Sequence, residues 1–278
     1  MGMADELEKY VRANAGDGSV TAVARLLSGV DLLLFGETHV KLDIKARFFA
    51  ALIRHARSSK LFQYFASEHF INDARSDGAA VDAFLKDARS GAKLPPHLRV
   101  QAPILDAVRD SLPAFGVVFA GTGASGQRDR RIHTHFKDSR ALHLKARRFA
   151  AEAKGVFHLG ADHAGRTPNE GADRTTCGHL VAGGFTVHVV RLMSAKVGGM
   201  RPDGVIEAGE SADVRERSTR PDDIDNWIGL VPIVNRVAGG KPILVDLRSG
   251  RSPFKEVLDS GGSAVFADRF DSILHLPG

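Results

Sequence analysis

Three short segments of the chain place a carboxylate beside an imidazole: Glu37-Thr38-His39, Glu68-His69 and Asp162-His163. A neighbouring carboxylate raises a histidine pKa and burial lowers it, so the balance can fall near neutral pH. A group poised there can take a proton and return it, which is what acid–base catalysis requires. Each pair follows an apolar run that reads as a buried strand: 32–35, 61–67 and 155–160. One polar pair at a strand end more often caps a helix or satisfies a turn. Three of them point instead to a cleft, because parallel strands present their C-terminal ends on one edge, where open α/β sheets bind ligands.

The elements that must position these pairs alternate along the chain. Helices are expected at 3–14 and 19–28, a strand at 31–35 ending in a turn at Gly36, and a helix at 42–58 with Ile44, Phe48, Phe49, Leu52 and Ile53 on one stripe. The strand at 61–67, helices at 72–90 and 103–112, and a strand at 115–120 follow. A long helix at 128–153, strand 155–160 running into Ala161-Asp162-His163, helix 176–182 and strand 185–192 come next. Residues 201–223 are charged and poor in apolar groups, and read as a long mobile loop or lid. Apolar runs at 243–247 and 270–276 close the chain. The expected fold is one α/β domain over 1–278, with residues 1–29 as N-terminal helices. It has a mostly parallel central sheet, helices on both faces and the site at the C-terminal strand ends.

With 278 residues the chain has ample length for a core. No apolar run approaches the roughly 20 residues of a membrane span, and the acidic, amphipathic N-terminus is unlike a secretory signal. A cytoplasmic protein is expected, with delivery elsewhere as an effector left open. One cysteine, Cys177, excludes an internal disulfide. A net charge of +5 permits acidic substrates without demanding nucleic acid.

Gly36-Glu37-Thr38-His39, then Glu68 at the end of the next strand, then Gly160-Ala161-Asp162-His163, resembles a Gly-x-x-His … Glu … Gly-x-x-His pattern. That pattern marks the erythromycin esterase/ChaN-like, or TIKI-like, superfamily. The variant Glu-x-His, Glu-His and a later His looks most like the Ras/Rap1-specific endopeptidase domain of bacterial multifunctional toxins. The resemblance covers residues 30–165 and, more weakly, the closing strand. It implies an α/β fold and catalysis by Glu37, His39, Glu68, His69 and His163. Arg128-Asp129-Arg130 resembles the Arg-Asp segment that opens the corresponding helix in erythromycin esterase-like proteins. Arg128 or Arg130 there could hold a substrate carboxylate or an oxyanion, with Asp162 a further substrate-binding candidate.

The roles follow from these positions. His39 is read as general base oriented by Glu37. Glu68 positions the attacking water or a second imidazole, and His163, with His69 as its alternate, protonates the leaving group or steadies the oxyanion. The substrate is an ester or peptide of a small molecule or polypeptide. The same site could run elimination or cyclisation on a biosynthetic intermediate, and a ChaN-like protein would instead hold haem or iron through its histidines. No cofactor is expected; a divalent metal, if one binds, would fall to His39, Glu68 and His163. No Gly-x-Ser-x-Gly elbow is present, so a serine triad is not expected. Cys177 reads as a small buried hydrophobe, and His158 and His188 as groups inside strands. The basic residues of 128–148 read equally as a solvated face and as a docking face for an acidic partner.

Overall fold

The computed structural model describes residues 3–37, 42–68, 102–109, 114–116, 125–167, 174–194, 230–248, 250, 252–255 and 266–277. His39 and His69 lie outside them, as do the helix expected at 72–90 and the loop expected at 201–223.

The described strands are β1 (Ala15–Asp17), β2 (Leu32–Glu37), β3 (Tyr64–Ser67), β4 (Ala114–Gly116), β5 (Gly155–Gly160), β6 (Val187–Ser194), β7 (Ile243–Asp246) and β8 (Ser272–Leu276). They form one sheet in the order β1-β7-β8-β6-β2-β5-β3-β4. From β8 to β4 every neighbouring pair is parallel; β7 pairs antiparallel with both β8 and β1. The sheet is thus mostly parallel, as the alternation of apolar runs and amphipathic stretches predicts.

Helices cover both faces. Against one face lie α2 (Val20–Arg25), α3 (Leu42–Ser59) and α4 (Ala102–Arg109), packed on Leu33, Phe35, Phe65, Val156 and Leu192. Against the other lie α1 (Met3–Asn14), α5 (Ser125–Lys145), α7 (Thr176–Ala182) and α8 (Leu230–Ala238), packed on Leu34, Ala66, Phe157, Val189 and Ile273. Two single turns, α6 (Ala161–Ala164) and α9 (Phe266–Arg269), follow β5 and precede β8. Period-two alternation along each strand divides its residues between these two cores.

Several bounds differ from expectation. The long helix starts at Ser125 and ends at Lys145, well short of 153. Arg147 adopts φ 53°, while the Arg148 amide bonds the His143 carbonyl at 3.0 Å and the Arg147 amide bonds Leu144. A left-handed residue there closes the helix without the glycine that usually signals such a stop. Helix α8 and strand β1 were not anticipated.

Gly36 is also not a turn. β2 runs through it to Glu37, fully buried. A Cβ at Gly36 would meet Ala164 Cβ at 2.9 Å and Ala161 Cα at 3.0 Å. The glycine lets α6 close against the sheet. Gly36→Ala is expected to cost about 1–3 kcal/mol through overpacking and to displace the turn that carries His163. Urea unfolding of the variant checks the first effect, and the His163 ring resonances the second.

Candidate functional site

β2, β5 and β3 are adjacent and parallel, and their C-terminal ends carry Glu37, the α6 turn with His163, and Glu68. Glu37 is in register with Gly160, where β5 passes into α6. Glu68, next after β3, accepts a short hydrogen bond at Oε1 from the Gly160 amide, and its own amide donates to the His158 carbonyl at 3.1 Å. Three of the expected residues therefore lie along one stretch of the sheet edge.

His163 sits in α6 rather than on a strand end. Its Nδ1 lies 3.1 Å from Asp129 Oδ1, with 12% of the histidine side chain and 7% of the aspartate exposed. The same oxygen accepts from the Thr176 amide at 2.6 Å and the Thr176 hydroxyl at 2.7 Å. A carboxylate can only accept, so Nδ1 carries the proton. Burial pushes the His163 pKa down, but the Asp129 hydrogen bond and the charges of Glu68, Asp129 and Asp162 outweigh it, and the net shift is upward. Asp129 reaches this place because α5 buries the stripe Asp129, Ile132 and Phe136. Asp162 is half-buried, its Oδ1 4.0 Å from the buried Arg269.

Glu37 belongs to a second polar group on the same edge. It alternates with Phe35 onto the α3 face, where its Oε2 lies 3.5 Å from Lys45 Nζ and 3.1 Å from His158 Nε2. His158 Nδ1 is 3.4 Å from Ser67 Oγ. The connectivity Ser67–His158–Glu37 is that of a nucleophile triad. Its setting is not, because Ser67 is fully buried and no acyl carbon can reach its hydroxyl.

Lys45, Ser67 and Asp129 were not singled out from the sequence as site residues. Lys45 shares the stripe of Phe49, Leu52 and Ile53, and a lysine inside an apolar stripe is a readable signal, since a buried ammonium needs a counter-ion. Asp129 could be read in the same way, four residues before His133 on a face that otherwise buries Ile132 and Phe136. Of the two arginines expected to bind substrate, Arg128 is half-buried and Arg130 is exposed, at the start of α5 around Asp129. Arg131, Lys137 and Lys145 on that helix are exposed too.

Cys177 is buried, and burial pushes its thiol up to about 12, away from nucleophilic use. Among the described residues no group of three or more His, Cys, Asp or Glu is placed to hold a metal ion. Of His39, Glu68 and His163, the last two are described and share the sheet edge. No helix among the described residues is long and apolar enough to cross a membrane.

No protein-family model matches the chain, and no curated protein matches it by sequence. Solved structures do. A protein of Bacillus cereus matches with a TM-score of 0.55 at 12% identity, covering 99% of this chain and 97% of that one. A succinoglycan biosynthesis protein matches with a TM-score of 0.54 at 10% identity, over 98% of this chain and 96% of its own. Erythromycin esterase in its open conformation matches with a TM-score of 0.53 at 10% identity, over 93% of each chain. What these proteins share with this chain is the fold, and erythromycin esterase carries that fold across nearly its whole length.

Proposed function

We propose that the chain is a hydrolase that cleaves an ester or peptide bond by acid–base chemistry at the C-terminal edge of β2, β5 and β3. The observation that supports this most is the Asp129–His163 pair beside Glu68. An imidazole held at one nitrogen by a buried carboxylate is the orienter-and-acid arrangement that acyl transfer uses. His163, its pKa raised by the neighbouring carboxylates, delivers a proton to the leaving oxygen or nitrogen. Glu68, fixed through the Gly160 amide, positions the water. His39, two residues beyond Glu37, takes the proton as that water attacks the acyl carbon. The bond to the leaving group then breaks as His163 protonates it. Arg128 steadies the oxyanion or a substrate carboxylate, Asp162 is a further substrate-binding group, and His69 is the alternate acid to His163.

Esters are the first substrates to test, macrolide lactones among them, because erythromycin esterase has this fold; peptides come second. The purified protein is incubated with a panel of aryl esters, macrolides and peptides, and product is followed by mass spectrometry. Hydrolysis of a panel member is expected, with His39→Ala reducing it to background and leaving thermal unfolding nearly unchanged. Undiminished turnover in His39→Ala removes His39 from its role.

A further inference from the structure

His163 is carried by α6, a single helical turn, and a single turn does not hold itself in shape: it fixes about six dihedral angles for one hydrogen bond. Gly160, at its N-cap, supplies no side-chain hydrogen bond. What fixes the turn must therefore come from its surroundings. One segment reaches it at both ends. That segment is residues 269–271, where α9 passes into β8, with Arg269 lying 108 positions along the chain from Ala161.

Arg269 holds the start of the turn. The residue is fully buried. Its Nη2 donates to the Ala161 and Asp162 carbonyls, each at 3.4 Å, and lies 4.0 Å from Asp162 Oδ1. A guanidinium is a planar fork of donors, suited to gripping more than one acceptor. Its Cζ stands 5.4 Å from the centroid of the Phe270 ring, and that ring packs against the sheet at Gly36. Gly165 lets the guanidinium come this close to α6: a Cβ there would meet Arg269 Nε at 2.6 Å and Nη2 at 2.8 Å. Asp271 holds the exit. The Arg166 amide donates to the Arg269 carbonyl at 3.0 Å, and the Arg166 guanidinium donates to Asp271 Oδ2 at 2.6 Å and Oδ1 at 3.3 Å. Such paired, charge-assisted bonds fix geometry as well as energy. Asp271 is itself anchored, by the Val189 amide at 2.7 Å and by an ion pair with Arg248. Residues 161, 162 and 166 are thus tied to one segment, and His163 lies between them.

We infer that Arg269 is a positioning residue for His163: its guanidinium, drawn across Gly165, grips the two carbonyls that open α6 and so aims the imidazole at Asp129, while the Arg166–Asp271 pair fastens the exit of the turn. Arg269 acts through the turn and not on the substrate. It sets where His163 Nδ1 meets Asp129 Oδ1, 3.1 Å away. A reacting group misplaced by about 1 Å can lose roughly 10²-fold in rate, so the placement matters. The consequence for catalysis rests on the hydrolase reading, but the geometry is tested without any substrate, so the two fail separately.

The test is nitrogen–proton NMR of the full chain labelled with ¹⁵N-histidine, with the His163 ring assigned through bonds to its own backbone. Wild-type protein is expected to show a His163 Nδ1 proton shifted downfield by the Asp129 carboxylate and slow to exchange with water. Gly165→Ala is the cleanest variant. The backbone there, φ −57° and ψ 145°, suits alanine. Every charge stays, and the nearest atoms the new methyl meets are the movable end of Arg269. The variant is expected to bring the Nδ1 proton upfield and to speed its exchange at least about tenfold, as local opening of the turn allows. Arg269→Met, which removes the fork, is expected to do the same. Leu27→Ala opens a cavity in the core on the opposite face of the sheet and shows what lost stability alone does. It is expected to leave the His163 proton as in the wild type. A His163 proton unmoved in Gly165→Ala overturns the inference, and so does an equal change in Leu27→Ala or a wild type without the downfield proton. Should Arg269→Met fail to fold, Gly165→Ala decides alone, with Leu27→Ala beside it.

Discussion

Glu37→Gln destabilises the protein by about 3–5 kcal/mol, the usual loss when one member of a buried ion pair is neutralised and the other stays behind. The glutamine keeps the volume and one carbonyl acceptor, so little of the loss comes from packing. It comes from Lys45, a 1%-exposed ammonium whose facing carboxylate is gone. Against a total of about 5–15 kcal/mol for a typical native protein, this is a large share. Lys45→Met destabilises less, because His158 lies 3.1 Å from the same oxygen and can take up charge. The double variant Glu37→Gln/Lys45→Met is then expected to be more stable than Glu37→Gln alone, since it no longer buries the Lys45 ammonium without the Glu37 carboxylate. Urea unfolding of the four proteins closes the cycle. Additive losses, or a Glu37→Gln penalty under about 1 kcal/mol, would show that the pair is not electrostatically coupled.

That pair also illustrates what the sequence revealed and what it concealed. Glu37, Glu68 and His163 were legible because each follows an apolar run ending at the sheet edge, and the alternation of strands and helices told which edge. The partners that give those residues their properties were not legible. His158 comes beside Glu37, and Ser67 beside His158, only through the order β2-β5-β3, which is not the order in the chain; Lys45 comes from α3, directly after β2, where its place in an apolar stripe was a signal not used. Asp129 meets His163 because α5 and α7 start side by side, with Thr176 bonded to the same oxygen. The expected basic motif drew attention to Arg128 and Arg130, yet the residue between them makes the contact. Helix ends were misjudged where backbone geometry replaced a sequence signal, as at Arg147. Gly36 was legible as important for the wrong reason: close approach of α6, not a turn, excludes a side chain there.

His163→Ala is expected to lower hydrolysis of whichever panel substrate is turned over by about 10²–10⁴-fold, the range for loss of a general acid or base. Asp129→Asn is the sharper probe. Asparagine keeps an oxygen for Thr176 and for His163 Nδ1, so the dyad keeps its shape and loses only its charge. The His163 pKa is raised above its ordinary 6.5 against the pull of burial, and the Asp129 carboxylate is a principal reason. An acid works only while protonated, so wild-type turnover falls as pH rises through that elevated pKa. Without the Asp129 charge the descending limb moves to lower pH. Stability follows the same sign. A group whose pKa is raised on folding contributes fully below its unfolded value and loses that contribution as pH rises through the folded one. The stability gap between wild type and Asp129→Asn is therefore widest below about pH 6.5 and narrows above it. A pH–rate profile and urea melts across the same range test both. If the limb moves and the gap narrows together, the proton on His163 links the reaction to the fold. If the limb stays while the gap narrows, Asp129 steadies the structure only, and the leaving group takes its proton from another residue.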